Sequence, residues 1–484
     1  MLKSSFYNVL IPIEEKNEFL LYNILHGGLE VLPAYEGGIL QEVMDKESFE
    51  TSETSLPKEM VDYLAAKQYL VEADHDERKF FRGIYQTGRD DLFDLDHASL
   101  TITIGTTITC NMGCPYCFEF IKPNKTLKDP KVMDEMIWYL QQLVDKAPVK
   151  KWVNFSVAWY GGEPLINNKL IRDFSPRLIA FAEKNNIASY DAQIITNGIL
   201  LDGKAWEILL DAQVNHVQVT LDGSKETHNV YRPLKSGGEN YERILRNLAI
   251  KPKEITMTIR VNTDQKVADN FDQFFDDLRE YGIWPQQYET VAIDSSVLRT
   301  YEENDEEDTS GRLDATGYQR VHKEFKFLKM RRYNEYAKEN GLRPGKIGWD
   351  MPTIQQECST WVNPYHIVFD PEGNVHKCWE TIHDDEQKVK HCSEGYEMTD
   401  FKHYMDYDRH DFSQECLDCK FLPVCDGYTC SFEVYRHEDK PPCTMWKANL
   451  DNILKDQYIT MIDHPDIMAN PVANEVLSGG HANK

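Results

Sequence analysis

Residues 110–117 read Cys-Asn-Met-Gly-Cys-Pro-Tyr-Cys, so three cysteines stand close together on one short segment. A cubane 4Fe-4S cluster normally takes four thiolate ligands. Three cysteines on one loop therefore predict a cluster in which one iron is free to bind a group that is not protein. The same cysteines would also suit a structural zinc ion, if a fourth Cys or His completed its tetrahedron.

The spacing of these cysteines, Cys-x3-Cys-x2-Cys, resembles that of the radical S-adenosylmethionine (radical SAM) enzymes. In that family the free iron chelates the amine and carboxylate of S-adenosylmethionine (AdoMet). An electron from the cluster then splits the sulfonium bond and gives a 5'-deoxyadenosyl radical. The resemblance implies that Cys110, Cys114 and Cys117 ligate this cluster and that Tyr116 lies beside the adenine.

The composition limits the class of protein. The chain has 484 residues, enough for several domains, and a formal net charge of -27. This acidic balance argues against binding to nucleic-acid phosphates, which requires a basic stripe. No stretch is long and apolar enough to span a bilayer, and the start of the chain lacks the apolar core of a signal peptide. We therefore expect a cytoplasmic protein with no nucleic-acid or membrane partner, whose 11 cysteines ligate metals rather than form disulfides.

From about residue 98 the sequence alternates between strand, loop and helix, which is typical of parallel βα units. An apolar stripe at helical spacing over Met133–Val144 marks the first helix. The predicted strands are Thr101–Thr107, Phe155–Trp159, Gln193–Thr196, His216–Leu221, Ile255–Val261 and a weaker one near Glu289–Ile293. These units predict an α/β fold, a partial (β/α)6 barrel over residues 98–300, with its chemistry at the carboxyl ends of the strands.

A glycine-rich segment follows the second predicted strand. It reads Tyr-Gly-Gly-Glu-Pro over residues 160–164 and resembles the Gly-Gly-Glu-Pro segment that holds the methionyl amine in radical SAM enzymes. Gly161 and Gly162 let the backbone approach a ligand closely, and Glu163 offers an acceptor for an ammonium group. Taken alone, the segment would also suit an ordinary turn.

The next two predicted strands end in short polar segments, Thr196-Asn197-Gly198 and Thr220-Leu221-Asp222-Gly223. Both would suit simple turns. Both also resemble family segments that contact the ribose and methionyl groups, which implies cofactor contacts from Asn197, Thr220 and Asp222. Arg232 matches a following segment and is expected to bind the cofactor carboxylate, although it would serve equally well in a surface salt bridge.

The other cysteines lie between Cys358 and Cys443 and resemble a SPASM domain, the extension that holds auxiliary iron–sulfur clusters in radical SAM proteins. The resemblance implies that one auxiliary 4Fe-4S cluster is bound by Cys416, Cys419, Cys425 and Cys443. It implies that the other is bound by Cys358, Cys378 and Cys430. Its fourth ligand is either Cys392, a spare thiolate, or a substrate sulfur on an open iron. A pair of zinc ribbons is the alternative for the whole set.

This region departs from the family pattern in two places. Four residues separate Cys425 from Cys430 where three are usual, which weakens the assignment of Cys430. Trp379 follows Cys378, where sulfatase maturases carry an aspartate that acts as a base, and Glu380 comes next. The second departure weakens the interpretation as a sulfatase maturase, and no other residue is indicated as the catalytic base.

Residues 1–90 are expected to form a separate module, with a strand over Tyr7–Ile13, an apolar stretch over Phe19–Leu32, a helix after Pro57 and a strand over Tyr69–Val71. Its order of elements resembles the winged-helix-like element that recognises leader peptides. A plain cap without a ligand is the alternative. We expect residues 301–357 to bridge the barrel to the SPASM domain as a polar, solvated loop that includes Glu302–Asp308. The SPASM domain is expected over 358–450, followed by a C-terminal helix and a tail frayed from Ala469.

Together these resemblances imply a maturase of ribosomal precursor peptides that carries AdoMet and three 4Fe-4S clusters. The adenosyl radical would abstract hydrogen from a peptide bearing a leader, giving a thioether or carbon–carbon crosslink. A reducing partner such as flavodoxin or ferredoxin would supply electrons. Three alternatives stay open: oxidation of a Cys or Ser by a sulfatase maturase, modification of a small molecule or free amino acid, and a non-enzymatic iron–sulfur electron carrier or regulator.

Overall fold

The structure is a computed structural model that describes residues 1–119, 123–299, 311–411, 413–436 and 443–471. The chain divides into two compact units. The terminal unit comprises the described residues of 1–91, 344–358 and 408–471, and the central unit comprises those of 92–343 and 359–407.

The amino-terminal part of the terminal unit is a small α/β module. Its elements are β1 (Leu2–Ser4), β2 (Asn8–Ile13), β3 (Glu18–Asn23), β4 (Leu29–Pro33), α1 (Ala34–Met44), α2 (Lys58–Ala66), β5 (Leu70–Glu72) and α3 (Glu77–Leu92). Strands β2, β3 and β4 form an antiparallel sheet in that order, and β1 pairs antiparallel with β5. The core between them is apolar and includes Leu21, Leu40 and Leu64. The predicted strands and the helix after Pro57 are present, each within one residue of the predicted start.

The central unit is built on a mostly parallel sheet. Its strands are β6 (Ala98–Thr107), β7 (Trp152–Gly161), β8 (Tyr190–Thr196), β9 (Val214–Thr220), β10 (Thr256–Thr263), β11 (Val291–Val297), β12 (His366–Phe369), β13 (Asn374–His376) and β14 (Lys390–His391). Strands β6 to β11 are parallel and adjacent in chain order, and β12 lies parallel to the other edge of β6. Strands β13 and β14 extend this edge in antiparallel pairing. The parallel sheet predicted from the sequence is therefore confirmed.

Helices connect the parallel strands and cover the sheet. They are α4 (Pro130–Lys146), α5 (Asn168–Lys184), α6 (Gly203–Asp211), α7 (Lys225–Tyr231), α8 (Tyr241–Ala249), α9 (Gln265–Ala268), α10 (Phe271–Glu280), α11 (Ala315–Glu339), α12 (Ser359–Val362) and α13 (Lys402–Met405). The apolar stripe predicted for the first helix lies in α4, whose amino terminus is capped by the Asp129 side chain. In β6, Leu100, Ile102 and Ile104 alternate along the strand and are fully buried, so the face that carries them packs in the core.

Helix α11 contradicts the expectation of a solvated loop between the barrel and the SPASM region. Val321 and Phe325 are buried, and the Phe325 ring packs on Phe271 and Phe275 at centroid distances of 5.0 and 5.4 Å. These contacts stabilise a helix whose apolar residues are too sparse among charged neighbours to show a clear stripe in the sequence. The predicted loop over Glu302–Asp308 lies outside the described residues.

The carboxyl-terminal part of the terminal unit contains α14 (Gln414–Leu417), α15 (Ser431–Arg436) and α16 (Met445–Asp463). In α16 the Tyr458 hydroxyl donates a hydrogen bond to Glu18 at 2.6 Å. Ala469, where the frayed tail was expected to begin, donates its N–H to the Ile347 carbonyl at 2.9 Å, so it is tied to the unit. The rest of that predicted tail, from residue 472, lies outside the described residues. Within the part of the chain that the structure describes, no helix meets the length and hydropathy needed to cross a bilayer.

Two adjacent leucines in α6 provide a test of the core. Leu209 is 0% exposed and Leu210 is 38% exposed. We expect Leu209→Ala to lower the free energy of unfolding by about 3 kcal/mol, because it leaves a cavity in the core. Leu210→Ala should cost less than about 1 kcal/mol, because much of its side chain is already in water. Denaturant unfolding followed by circular dichroism measures both, and equal losses would contradict the packing described.

Candidate active site

The cysteine loop begins directly after β6, at the carboxyl edge of the parallel sheet. Cys110 is buried, and its Sγ accepts hydrogen bonds from Met112 N at 3.4 Å and from Asn197 Nδ2 at 3.8 Å. Burial raises the pKa of the Cys114 thiol to about 11, and the charges of Cys110 and Cys117 act in the same direction. The three thiols that the sequence predicts as cluster ligands therefore lie close enough for two of them to influence the pKa of the third.

Side chains that share a single metal ion have their ligand atoms close together. In the described residues, the groups of Cys, His, Asp and Glu whose ligand atoms all lie within 4.8 Å of one another are Glu135 with His391 and Cys392, and Asp370 with Glu372 and Asp385. The three thiols of the cysteine loop form no such group. In a cubane each thiolate binds a different iron, so its ligands stand farther apart than those of one ion.

The glycine pair at the end of β7 allows a close approach to the base of the cysteine loop. Gly161 has φ +122°, and a Cβ there would lie 2.1 Å from the Thr107 carbonyl oxygen. A Cβ on Gly162 would lie 2.3 Å from the Ile108 carbonyl oxygen. Two backbone hydrogen bonds form in this space, from Gly162 N to Thr107 O at 2.9 Å and from Glu163 N to Thr109 O at 3.1 Å. The glycines thus join β7 to the chain that leads into Cys110.

Glu163 connects the ends of β7 and β8. Its fully buried carboxylate accepts hydrogen bonds from Leu165 N at 3.0 Å, from the Thr196 hydroxyl at 2.7 Å and from Asn197 N at 2.7 Å. Burial raises the pKa of this carboxyl group, and the three hydrogen bonds oppose that shift. The Asn197 side chain in turn contacts Cys110, so Glu163 fixes a group that touches the cluster loop. Its predicted contact with the cofactor amine stays a prediction.

A second buried network lies at the ends of β9 and β10. The Tyr116 hydroxyl donates to Asp222 and accepts a hydrogen bond from Arg232 Nη1 at 2.5 Å. Asp222 also accepts from Asn262 N at 3.0 Å, and burial raises its pKa while Arg232 opposes the shift. Thr220, the last residue of β9, is also buried. The structure therefore brings together the side chains of Tyr116, Asp222 and Arg232 that the sequence assigns to the cofactor.

Arg232 has an unsatisfied donor that fits a ligand. Among the described residues, its buried Nε makes no hydrogen bond. A buried guanidinium N–H is costly to leave unpaired, and a carboxylate is a suitable partner for it. This observation fits the predicted contact between Arg232 and the AdoMet carboxylate.

Some residues near the cluster loop were not identified from the sequence. The Tyr160 ring packs against the Trp379 ring at 5.6 Å. Burial raises the pKa of Tyr160 well above its ordinary value, and Glu119, Cys117, Glu380 and Cys378 contribute in that order. Tyr160 therefore lies near both glutamates and near two cysteines that are predicted to bind iron–sulfur clusters. Glu119 and Asn262 belong to no recognised motif, and only their positions near the cysteine loop and at the end of β10 would have indicated them.

The terminal unit contains Cys358, Cys416, Cys419, Cys425, Cys430 and Cys443, whereas Cys378 and Cys392 belong to the central unit. Cys358 N donates to the Thr429 carbonyl at 2.9 Å, which places Cys358 beside the chain at Cys430. Lys447 Nζ lies 3.8 Å from Cys443 Sγ, and both Cys419 and Cys443 raise the pKa of Lys447. Each of these neighbourhoods joins two cysteines that the resemblance assigns to one cluster. Between Cys425 and Cys430 the chain forms a 3₁₀ turn over Asp426–Tyr428.

Cys392 lies away from solvent beside two other metal-binding side chains. It is fully buried, and its burial raises the pKa of the thiol to about 12. Its Sγ lies within 4.8 Å of ligand atoms of His391 and Glu135. The His391 ring contacts the Ser393 hydroxyl and the Glu372 carbonyl through its two nitrogens. The role of Cys392 as a fourth cluster ligand stays a prediction.

Comparison with known proteins agrees with this site. Residues 104–284 match the Radical SAM superfamily. The Cysteine-type anaerobic sulfatase-maturating enzyme of Clostridium perfringens is 28% identical over 140 residues, which are 28% of this chain and 36% of that enzyme. The Radical SAM cyclopropyl synthase TigE of Paramaledivibacter caminithermalis is 23% identical over 298 residues, which are 58% of this chain and 60% of that enzyme. The chain thus matches less than two thirds of the length of either relative.

Solved structures share the fold. Native anSMEcpe with bound AdoMet superposes with a TM-score of 0.54 at 16% identity, covering 76% of this chain and 99% of that chain. This likeness is one of fold, a mostly parallel α/β sheet. The match of residues 104–284 to the Radical SAM superfamily indicates a radical SAM domain within the central unit, and such a domain implies AdoMet and a 4Fe-4S cluster as cofactors.

Glu163 allows a direct test of the buried network. We expect Glu163→Gln to weaken AdoMet binding about tenfold, because an amide cannot accept all three hydrogen bonds and about 1–2 kcal/mol of preorganisation is lost. Equilibrium dialysis of the anaerobically reconstituted protein measures the affinity. Glu183→Gln, at an exposed position of α5, is the control and should bind as the wild type does. Equal affinities for all three proteins would contradict the role of Glu163.

Gly161 tests the close approach of the strands. An alanine there would combine a strained φ with a clash against the Thr107 carbonyl. We expect Gly161→Ala to cost about 3 kcal/mol or more and to reduce the iron bound at the cysteine loop. Gly203→Ala, where a Cβ meets nothing within 4 Å, is the control. Thermal unfolding and iron analysis read out both effects, and a stable, iron-replete Gly161→Ala protein would show that the approach is not required.

Proposed function

We propose that this protein is a radical SAM maturase that abstracts hydrogen from a ribosomally made precursor peptide and installs a thioether or carbon–carbon crosslink. The observation that supports the proposal most strongly is the convergence at one sheet edge of the cysteine loop, the Gly161–Glu163 segment and the Tyr116–Asp222–Arg232 network. Each of the three follows a different parallel strand or its helix. No ordinary turn explains their meeting at one place.

Different residues of the site would hold the cluster and AdoMet. Cys110, Cys114 and Cys117 would ligate the cluster, and Arg232 would bind the AdoMet carboxylate through its unpaired Nε. When bound, the cluster and AdoMet supply a 5'-deoxyadenosyl radical. Glu163 fixes the position of Asn197 against Cys110, and Tyr116 ties the loop to Asp222. Since these groups are buried, they exclude water from the place where a radical would form.

Two further features support a peptide substrate. Native anSMEcpe, a solved structure that shares the fold, has AdoMet and the Cp18Cys peptide bound. We assign the amino-terminal α/β module to the recognition of a leader, because its order of elements resembles that of leader-recognition elements. A flavodoxin or ferredoxin is the proposed reductant. We also propose two auxiliary 4Fe-4S clusters at the cysteines from Cys358 to Cys443, which would remove an electron or bind a substrate sulfur.

Sulfatase maturation is the second candidate. The alignment with the Clostridium perfringens enzyme favours it, because that relative is named for this activity. Trp379 argues against it, since an aspartate base is expected after Cys378 and the indole ring has no proton-accepting group. Glu380, the next residue, lies near Tyr160 and is the nearest replacement in sequence for that base.

The test combines cofactor cleavage with peptide mass. The reconstituted, reduced protein should release 5'-deoxyadenosine from AdoMet, and Cys114→Ala should abolish this, because a cubane needs all three thiolates of the loop. Co-expression with small open reading frames beside the gene should give a peptide that is two hydrogens lighter per crosslink. Absence of 5'-deoxyadenosine from cluster-replete protein would favour an electron carrier. Modification of a sulfatase-derived Cys or Ser peptide, with neighbouring peptides unchanged, would favour the second candidate.

A further inference from the structure

A fully buried arginine lies in the cysteine-rich part of the terminal unit. Arg409 has a side-chain exposure of 0%. Its guanidinium lies over the Tyr85 ring at 5.1 Å. Nη2 donates to the Gln355 carbonyl at 2.8 Å, and Nη1 donates to the Leu422 carbonyl at 3.3 Å. Arginine is rarely buried so completely unless its donors are used, and here two of them bind main-chain carbonyls.

The two carbonyls belong to chain segments that carry predicted cluster ligands. Gln355 lies three residues before Cys358, and Leu422 lies between Cys419 and Cys425. Two backbone hydrogen bonds join the same segments, from Gln355 N to Pro423 O and from Cys358 N to Thr429 O, both at 2.9 Å. Arg409 therefore reinforces the junction that brings Cys358 beside Cys430.

A buried carboxylate accompanies this arginine. Glu357 Oε1 lies 3.6 Å from Arg409 Nε and 3.9 Å from Arg89 Nη1, and the Glu357 side chain is fully buried. Charge balance with Glu357 would be satisfied by any cation at position 409. The contacts with two separate carbonyls are different, because they come from two nitrogens, Nη1 and Nη2, held in the planar fork of the guanidinium, and a lysine has only one nitrogen at the end of its stem.

We propose that Arg409 is a positioning residue for Cys358 and Cys430, two predicted ligands of an auxiliary cluster that lie in its own unit. It acts by holding the main chain before Cys358 against the Cys419–Cys425 loop. This inference rests on the proposed auxiliary clusters, and on no assumption about the substrate. The hydrogen bonds of Arg409 described above go to main-chain carbonyls, so its effect on the cluster would pass through the backbone.

The experiment uses the full chain with Cys110, Cys114 and Cys117 replaced by alanine, so that iron reports only the other cysteines. Arg409→Met, Arg409→Lys and the double variant Glu357→Gln/Arg409→Met are compared in this background. Arg78→Met is the matched control, because Arg78 belongs to the same unit and pairs with Asp418 beside Cys419, yet is 51% exposed. Iron, acid-labile sulfide and the electron paramagnetic resonance spectrum of the reduced protein are measured after anaerobic reconstitution.

The background protein and Arg78→Met should bind about eight irons, two cubanes, and Arg409→Met about four. Arg409→Lys and the double variant should stay near the Arg409→Met value, with one set of resonances lost and an unchanged far-ultraviolet circular dichroism spectrum.

Full iron in Arg409→Met would overturn the inference. Recovery in Arg409→Lys or the double variant would also overturn it, because charge balance alone would then suffice. Loss of the far-ultraviolet circular dichroism signal in both Arg409→Met and Arg409→Lys would show that the arginine is needed for folding. That result would also overturn the inference. A background protein without iron would refute the auxiliary clusters themselves.

Discussion

The close approach of β7 to the base of the cysteine loop is the constraint on which the rest of the site depends. Main-chain hydrogen bonds, from Gly162 to Thr107 and from Glu163 to Thr109, make this junction. It exists because no Cβ stands at positions 161 and 162. A backbone junction has few conformations, so Cys110 is held relative to the sheet without relying on side-chain rotamers.

Burial of polar groups is the second principle of the site. Glu163, Asp222 and Arg232 are all withdrawn from water, and hydrogen bonds to protein groups replace those to solvent. Such networks are stronger in a low-dielectric interior and more costly when incomplete. Burial in this low-dielectric interior also raises the pKa of the Cys114 thiol. Because a metal displaces the thiol proton when it binds, loading of the site with metal depends on pH.

The central sheet was predictable because its strands carry apolar residues at alternate positions, as Leu100, Ile102 and Ile104 of β6 illustrate. The cysteine loop was predictable for a different reason. Three ligands of one cluster lie on one short segment, so the geometry of the cluster restricts the number of residues between them. Helix α11 could not be predicted, because it is stabilised by the packing of Phe325 on two aromatic rings of α10, and no local sequence pattern reveals that contact. Asn262 was missed likewise, because its contact with Asp222 joins residues 40 positions apart. A motif consists of residues that are close in sequence, whereas many residues of the site are brought to it only by the packing of strands that are distant in sequence.

The terminal unit is assembled from both ends of the chain. Strand β3 near the start and helix α16 near the end are joined by the hydrogen bond between Tyr458 and Glu18. Protein synthesis proceeds from the amino terminus, and domains generally fold as units. The amino-terminal module is therefore translated well before residues 408–471, with which it shares a unit, and the residues of the parallel sheet are translated between the two. This unit can be completed only after the chain of the central unit has been synthesised.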